Sequence, residues 1–142
     1  MLVMLTGSLE SLDTRGGSLW LGLGSAGSQL VLELHIPAST AQQLSTVAVG
    51  GTVTVHTHLE FAPQGPVGAL RPRLYGFAHP LDRQFFLRLI TVKGVGASVA
   101  LDMLAAPTAS IAAAIQTGDE AFLKKLPRIG ASKARLLIAE LR

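Results

Sequence analysis

The most restrictive feature of this chain is that it repeats itself. The stretch "TVKGVGASVALDML", residues 91–104, returns as "KKLPRIGASKARLLIAELR", residues 124–142, at a constant offset of 34. Gly96 matches Gly130, Ala97 matches Ala131, Ser98 matches Ser132, Ala100 matches Ala134 and Leu104 matches Ile138, while Leu101 faces Arg135. In each copy a tight turn leads into a one-sided apolar helix pattern, so the second half must fold as two similar helical units. The chain has 142 residues, nearly half of them apolar and only 5% aromatic, so its core is built mainly from Leu, Val, Ile and Ala. Cysteine is absent, which excludes disulfides and thiolate metal sites.

The first half has a different period. Leu19, Leu21 and Leu23 alternate with Trp20 and Gly22; Leu30, Leu32, Leu34 and Ile36 alternate with Val31, Glu33 and His35; Val53 and Val55 alternate with Thr52, Thr54 and His56. Period-two spacing predicts half-buried antiparallel strands. Turn residues punctuate them at 13–17, 24–27, 50–51 and 63–68. A short helix is expected from Ser39 or Thr40, with a hydroxyl accepting from a free helix amide. Five or six short strands and one small helix predict a compact β-barrel of the oligonucleotide-binding (OB) type.

Around Pro80 the period becomes 3.6. Helices are expected over Leu81–Ile90, Ser98–Leu104, the segment from Thr108 to Gly118, "EAFLKKL" capped by Asp119, and from Ser132 to the end. The fold class is therefore α+β, with an OB-like antiparallel barrel over residues 1–73 and an all-α domain over 74–142. No run of about 18 apolar residues is present, and the N-terminus lacks the pattern of a signal peptide. A soluble cytoplasmic protein without membrane contact is expected.

Charge divides at the same place. Residues 1–70 hold one basic residue, Arg15, against four acidic ones, whereas residues 71–142 hold eleven against five. The basic half carries the repeat, which points to an acidic partner such as nucleic acid. The turn "Lys93-Gly94-Val95-Gly96-Ala97" supplies the chemistry. Its glycines permit positive φ and leave backbone amides bare, and the first amides of the following helix have no intrahelical acceptor. Such a turn is an anion site that suits a phosphate oxygen. Val95, and Ile129 in the second copy, would turn inward to anchor the hairpin. Two such units in tandem form the helix-hairpin-helix pattern, whose contacts ignore base identity because phosphates carry no sequence information.

The strings "RLYGFAHPLDRQFFLRLITVKGVGASVALDML" and "LKKLPRIGASKARLLIAELR", with "ELHIP" at 33–37, resemble the RuvA family of Holliday-junction branch-migration proteins. The resemblance implies a homotetramer that holds four-way junction DNA open while a RuvB-type ATPase drives migration. It implies DNA contacts by Lys93, Gly94, Gly96, Ala97 and Ser98 in the first hairpin and by Arg128, Gly130, Ala131, Ser132 and Lys133 in the second.

Three departures from the family pattern stand out. Arg128 occupies the position of the second hairpin's first glycine, which should strain the turn if positive φ is needed. The segment before Leu-Tyr-Gly-Phe, where the family carries an acidic strand-separating pin, reads as a longer Pro/Gly-rich loop over 61–73, with Glu60 the one acid remaining. The sequence stops at Arg142, where the family continues into a linker and a small ATPase-contacting domain.

Other chemistry finds little support. His56 and His58 would share a strand face but lack further ligands nearby, so no metal is expected. No Walker loop or nucleophile elbow occurs, no acids stand at catalytic spacing, and no cofactor is expected. The expected role is a non-catalytic, junction-binding subunit of an ATP-dependent complex in recombination and repair. The alternative is a DNA-bound scaffold of the same fold that no longer recruits the motor or separates strands.

Overall fold

The computed structural model describes residues 1–25 and 28–142, so Ala26 and Gly27 of the expected 24–27 turn lie outside the described residues. The chain packs as two units, Met1–Arg83 and Gln84–Arg142.

The first unit is a closed five-stranded barrel with strands in the order β1-β2-β3-β5-β4. These are β1 (Met4–Asp13), β2 (Ser18–Ser25), β3 (Ser28–His35), β4 (Thr52–Gln64) and β5 (Ala69–Phe77). All neighbours pair antiparallel except β3 and β5, which meet in parallel at His35 and Tyr75 and close the barrel. The register of β1 on β2 shifts between Leu9 and Ser11, a bulge that helps a strand bend around a small barrel. Alternate residues fill the interior as the period predicts: Leu19, Leu21, Leu34, Val53 and Val55 are buried with Leu9 and Ile36.

Helix α1 (Ala38–Leu44) adds Ala41 and Leu44 to this core. Its cap differs from the expectation. The N-cap is Pro37, with no side-chain cap, and Thr40 is buried inside the helix, where its hydroxyl accepts from the Ala78 amide at 3.3 Å. The hydroxyl satisfies a strand-end donor because burial forbids leaving that donor to water.

The 61–73 segment is a β-hairpin and not a loop. β4 runs to Gln64 and β5 starts at Ala69, with an unbroken register from His56↔Phe77 to Gln64↔Ala69. Only residues 65–68 turn, with Gly65 and Gly68 at positive φ.

In the second unit lie most of α2 (Pro80–Leu89), then α3 (Ala97–Met103), α4 (Thr108–Thr117), α5 (Glu120–Leu123) and α6 (Ala131–Leu141). Gly118 ends α4 in the left-handed conformation, and Asp119 caps α5 by accepting from the Phe122 amide at 2.9 Å. Helix α5 is shorter than the "EAFLKKL" pattern predicts, because the chain tightens ahead of Pro127. Among the described residues no single helix is long and apolar enough to cross a membrane.

Candidate nucleic-acid interface

The sequence repeat is a structural repeat. Leu89 and Leu123, Val92 and Leu126, Val95 and Ile129, Ala100 and Ala134, and Met103 and Leu137 are buried pairs at the same offset. Val95 donates its amide to the Val92 carbonyl at 3.0 Å, and Ile129 donates to Leu126 at 3.2 Å. Ala100 donates to Gly96 at 2.9 Å and Ala134 to Gly130 at 3.0 Å. Each turn is thus pinned by an inward aliphatic residue. Each second helix carries an alanine with no exposed surface where a larger side chain would overpack.

The two glycines of each motif have separate roles. Gly94 takes φ 83°, a left-handed conformation that side chains resist. Gly96 and Gly130 are N-caps in extended backbone, at φ −85° and −92°, so positive φ is not their reason for being glycine. Neither is lack of room, because a Cβ added at Gly96 or Gly130 would meet nothing within 4 Å. Both are exposed, and neither helix start has a side-chain cap. Among the described residues no acceptor takes the amides of Gly96, Ala97 and Ser98, or those of Gly130, Ala131 and Ser132. The result is two matched, uncovered patches of N–H donors at helix starts.

Arg128 does stand at positive φ, 62°, alone among the described non-glycine residues. Its guanidinium turns toward the first motif, donating to the Ser98 hydroxyl at 2.8 Å and pairing with Asp102 at 3.0 Å. Lys133 reaches the same place. Its ammonium donates to the Arg128 carbonyl at 3.4 Å, and its Cε lies 3.6 Å from where a Gly94 Cβ would stand. The turns of the two hairpins are therefore side by side, braced by Arg128 and Lys133, while Lys93 is exposed beside Gly94. Asp102 is a member of this cluster that sequence reasoning missed. The available signal was its position four residues after Ser98, which puts both on one face of α3.

Glu60 lies elsewhere, in β4 of the barrel unit. It accepts from the Tyr75 hydroxyl at 3.1 Å and lies 3.9 Å from the His58 imidazole. Burial is the main cause that raises the Tyr75 phenol above its usual range. The Glu60 carboxylate thus faces barrel side chains.

A closed barrel joined in one chain to a paired helix-hairpin-helix unit defines the class of protein: an OB-like barrel protein with tandem helix-hairpin-helix motifs. Residues 86–142 match the family model described as SAM-like Helix-hairpin-helix tandem. The chain is 36% identical over its whole length to the Holliday junction branch migration complex subunit RuvA of Acidithiobacillus ferrooxidans, covering 67% of that protein. It is 41% identical over 78% of its length to the protein of that name from Thioalkalivibrio sulfidiphilus, covering 51% of it, and 41% identical to that of Opitutus terrae, covering 52%. The chain belongs to the RuvA family. It spans about half to two thirds of the length of these curated relatives.

Proposed function

We propose that this chain is a non-catalytic DNA-binding subunit that grips four-way junction DNA by its backbone and serves branch migration in recombination and repair. The observation that carries the reading is the pair Gly96 and Gly130. Neither conformation nor crowding calls for glycine there, yet both motifs keep it, beside amides that lack acceptors. A bare backbone at a helix start lets a phosphate approach closely. Lys93, Gly94, Gly96, Ala97 and Ser98 would hold one strand, and Gly130, Ala131, Ser132 and Lys133 the other. Arg128 would shape the second turn and meet phosphate only at its edge, since Asp102 and Ser98 already occupy its guanidinium.

Assembly as a homotetramer in the cytoplasm would bring several such grips to one junction, and a RuvB-type ATPase would supply the motion. The relatives' shared name, a subunit of a branch migration complex, supports this reading. In a gel-shift competition a four-way junction should outcompete linear duplex, and Lys93→Ala with Lys133→Ala should weaken binding to both. Equal affinity for junction and duplex would remove the junction claim, and unchanged binding by the double variant would remove the hairpin assignment.

A second reading is favoured by one observation: Glu60 is engaged by Tyr75, and basic residues follow it in the hairpin. In that reading the protein is a junction-bound scaffold that neither separates strands nor recruits a motor. Branch migration assayed with and without the cognate ATPase distinguishes the two.

A further inference from the structure

Two charges depart from the repeat, and they meet each other. At the offset of 34, Arg128 stands where the first copy has Gly94, and Asp102 stands where the second copy has Leu136. One atom joins them. Arg128 Nη2 donates to the Ser98 hydroxyl at 2.8 Å and lies 3.0 Å from Asp102 Oδ2, so both of its hydrogens are spent on α3. The three N–H groups on Nε and Nη1 have no acceptor among the described residues. The two side chains are 48% and 50% exposed, so the pair lies where an incoming phosphate can reach it.

Such a pair can serve as a brace or as a mask. A brace would hold the two turns together, but they already meet without it: Lys133 donates to the Arg128 carbonyl, and its Cε lies against Gly94. An exposed ion pair adds little to stability in any case. A mask acts on charge. A carboxylate 3.0 Å from the guanidinium cancels most of the cation's field at a distance and itself repels phosphate. Of Lys93, Arg128 and Lys133, only Arg128 is paired with an acid among the described residues. An acid in that place lowers affinity for DNA, which suits a protein that must release each phosphate as the strands move past it.

We propose that Asp102 sets the strength of the DNA grip: its carboxylate masks Arg128, confines the guanidinium to an edge contact and leaves the paired hairpins one phosphate short of what their cations could neutralise. The proposal rests on the DNA-binding reading above and adds a limit to it. The two fail in different ways.

The test is fluorescence anisotropy on the full chain with a labelled duplex over a series of salt concentrations, with thermal melting run in parallel. Asp102→Asn keeps an acceptor for Nη2 and removes the charge. It should melt with the parent, steepen the salt slope by about 0.9, one phosphate's worth, and bind about eight-fold tighter in 0.1 M salt. Adding Arg128→Gln to Asp102→Asn should return the slope to the parent's. Unchanged binding by Asp102→Asn overturns the proposal, and so does weaker binding, which would make the pair a brace. A steeper slope that survives the added Arg128→Gln also overturns it, because Asp102 would then act by its own repulsion and not through Arg128. Failure of the parent to bind duplex would instead sink the hairpin reading.

Discussion

Gly94 and Gly96 stand two residues apart and are glycine for opposite reasons. At Gly94 the backbone requires it. Alanine there fits in space, with only Lys133 Cε nearby at 3.6 Å, but must hold φ 83°. Gly94→Ala should therefore lower stability by about 1–2 kcal/mol, read as a fall in thermal midpoint. Gly96→Ala with Gly130→Ala should stay within about 1 kcal/mol of the parent per site, yet bind DNA less well because each new methyl covers exposed amides. A double variant that binds normally would show that those glycines serve no ligand. Arg128 tests the converse. Relief of its positive φ is worth about 1 kcal/mol, against about 0–1 kcal/mol for an exposed ion pair with Asp102. Arg128→Gly should melt no lower than the parent in a calorimetric scan.

At the scale of elements, β4 joins a buried stretch to an exposed one. His58 sits in it at the transition, its side chain 15% exposed, with Glu60 on its own strand, the Tyr75 ring stacked at 6.3 Å and Arg83 nearby. Burial holds its imidazole below the ordinary value, and Arg83 adds to that while Glu60 opposes it. The folded protein then binds fewer protons at this site than the unfolded chain does. Stability is fully present above about pH 6.5 and is lost as pH falls through the depressed folded value. Thermal midpoints should drop on acidification from neutral pH, and His58→Gln should flatten part of that drop. An identical profile in the variant would show that His58 is not the group responsible. The same strand shows the limit of reading elements by composition: its Pro and Gly content predicts a loop. Cross-strand pairing with β5 instead holds residues 59–64 extended, with glycine needed only in the turn.

For the molecule as a whole, affinity turns on the number of grips. One pair of hairpins would contact only a few phosphates, and duplex affinity should fall by about 0.9 log unit per log unit of salt for each phosphate neutralised. Several copies on one junction would add roughly 10²–10⁴ in avidity without a new contact type. Residues 84–142 have their own buried core, including Phe86, Leu89, Ile111, Leu123 and Leu137. A fragment of those residues should fold, bind duplex with the parent's salt slope and lose the preference for junctions. A fragment that kept the preference would show that it arises within the hairpins and not from assembly.

What the sequence determined by itself was everything carried by period and local chemistry. The alternation of leucines and valines foretold the barrel, the repeat at 34 foretold two matched hairpins, Gly118 and Asp119 marked a helix end and a helix start, and Arg128 was visible as a residue in a glycine's place. These signals are readable because burial selects one face of each element and backbone conformation selects glycine. Only the tertiary structure decided which long-range partners meet. It turned Arg128 onto Asp102 and Ser98, set Lys133 beside Gly94, sank Thr40 beneath the Ala78 amide and drew out 61–73 as a paired ribbon. Those outcomes depend on groups far apart in the chain brought together by packing, and no local pattern of residues encodes such a distance.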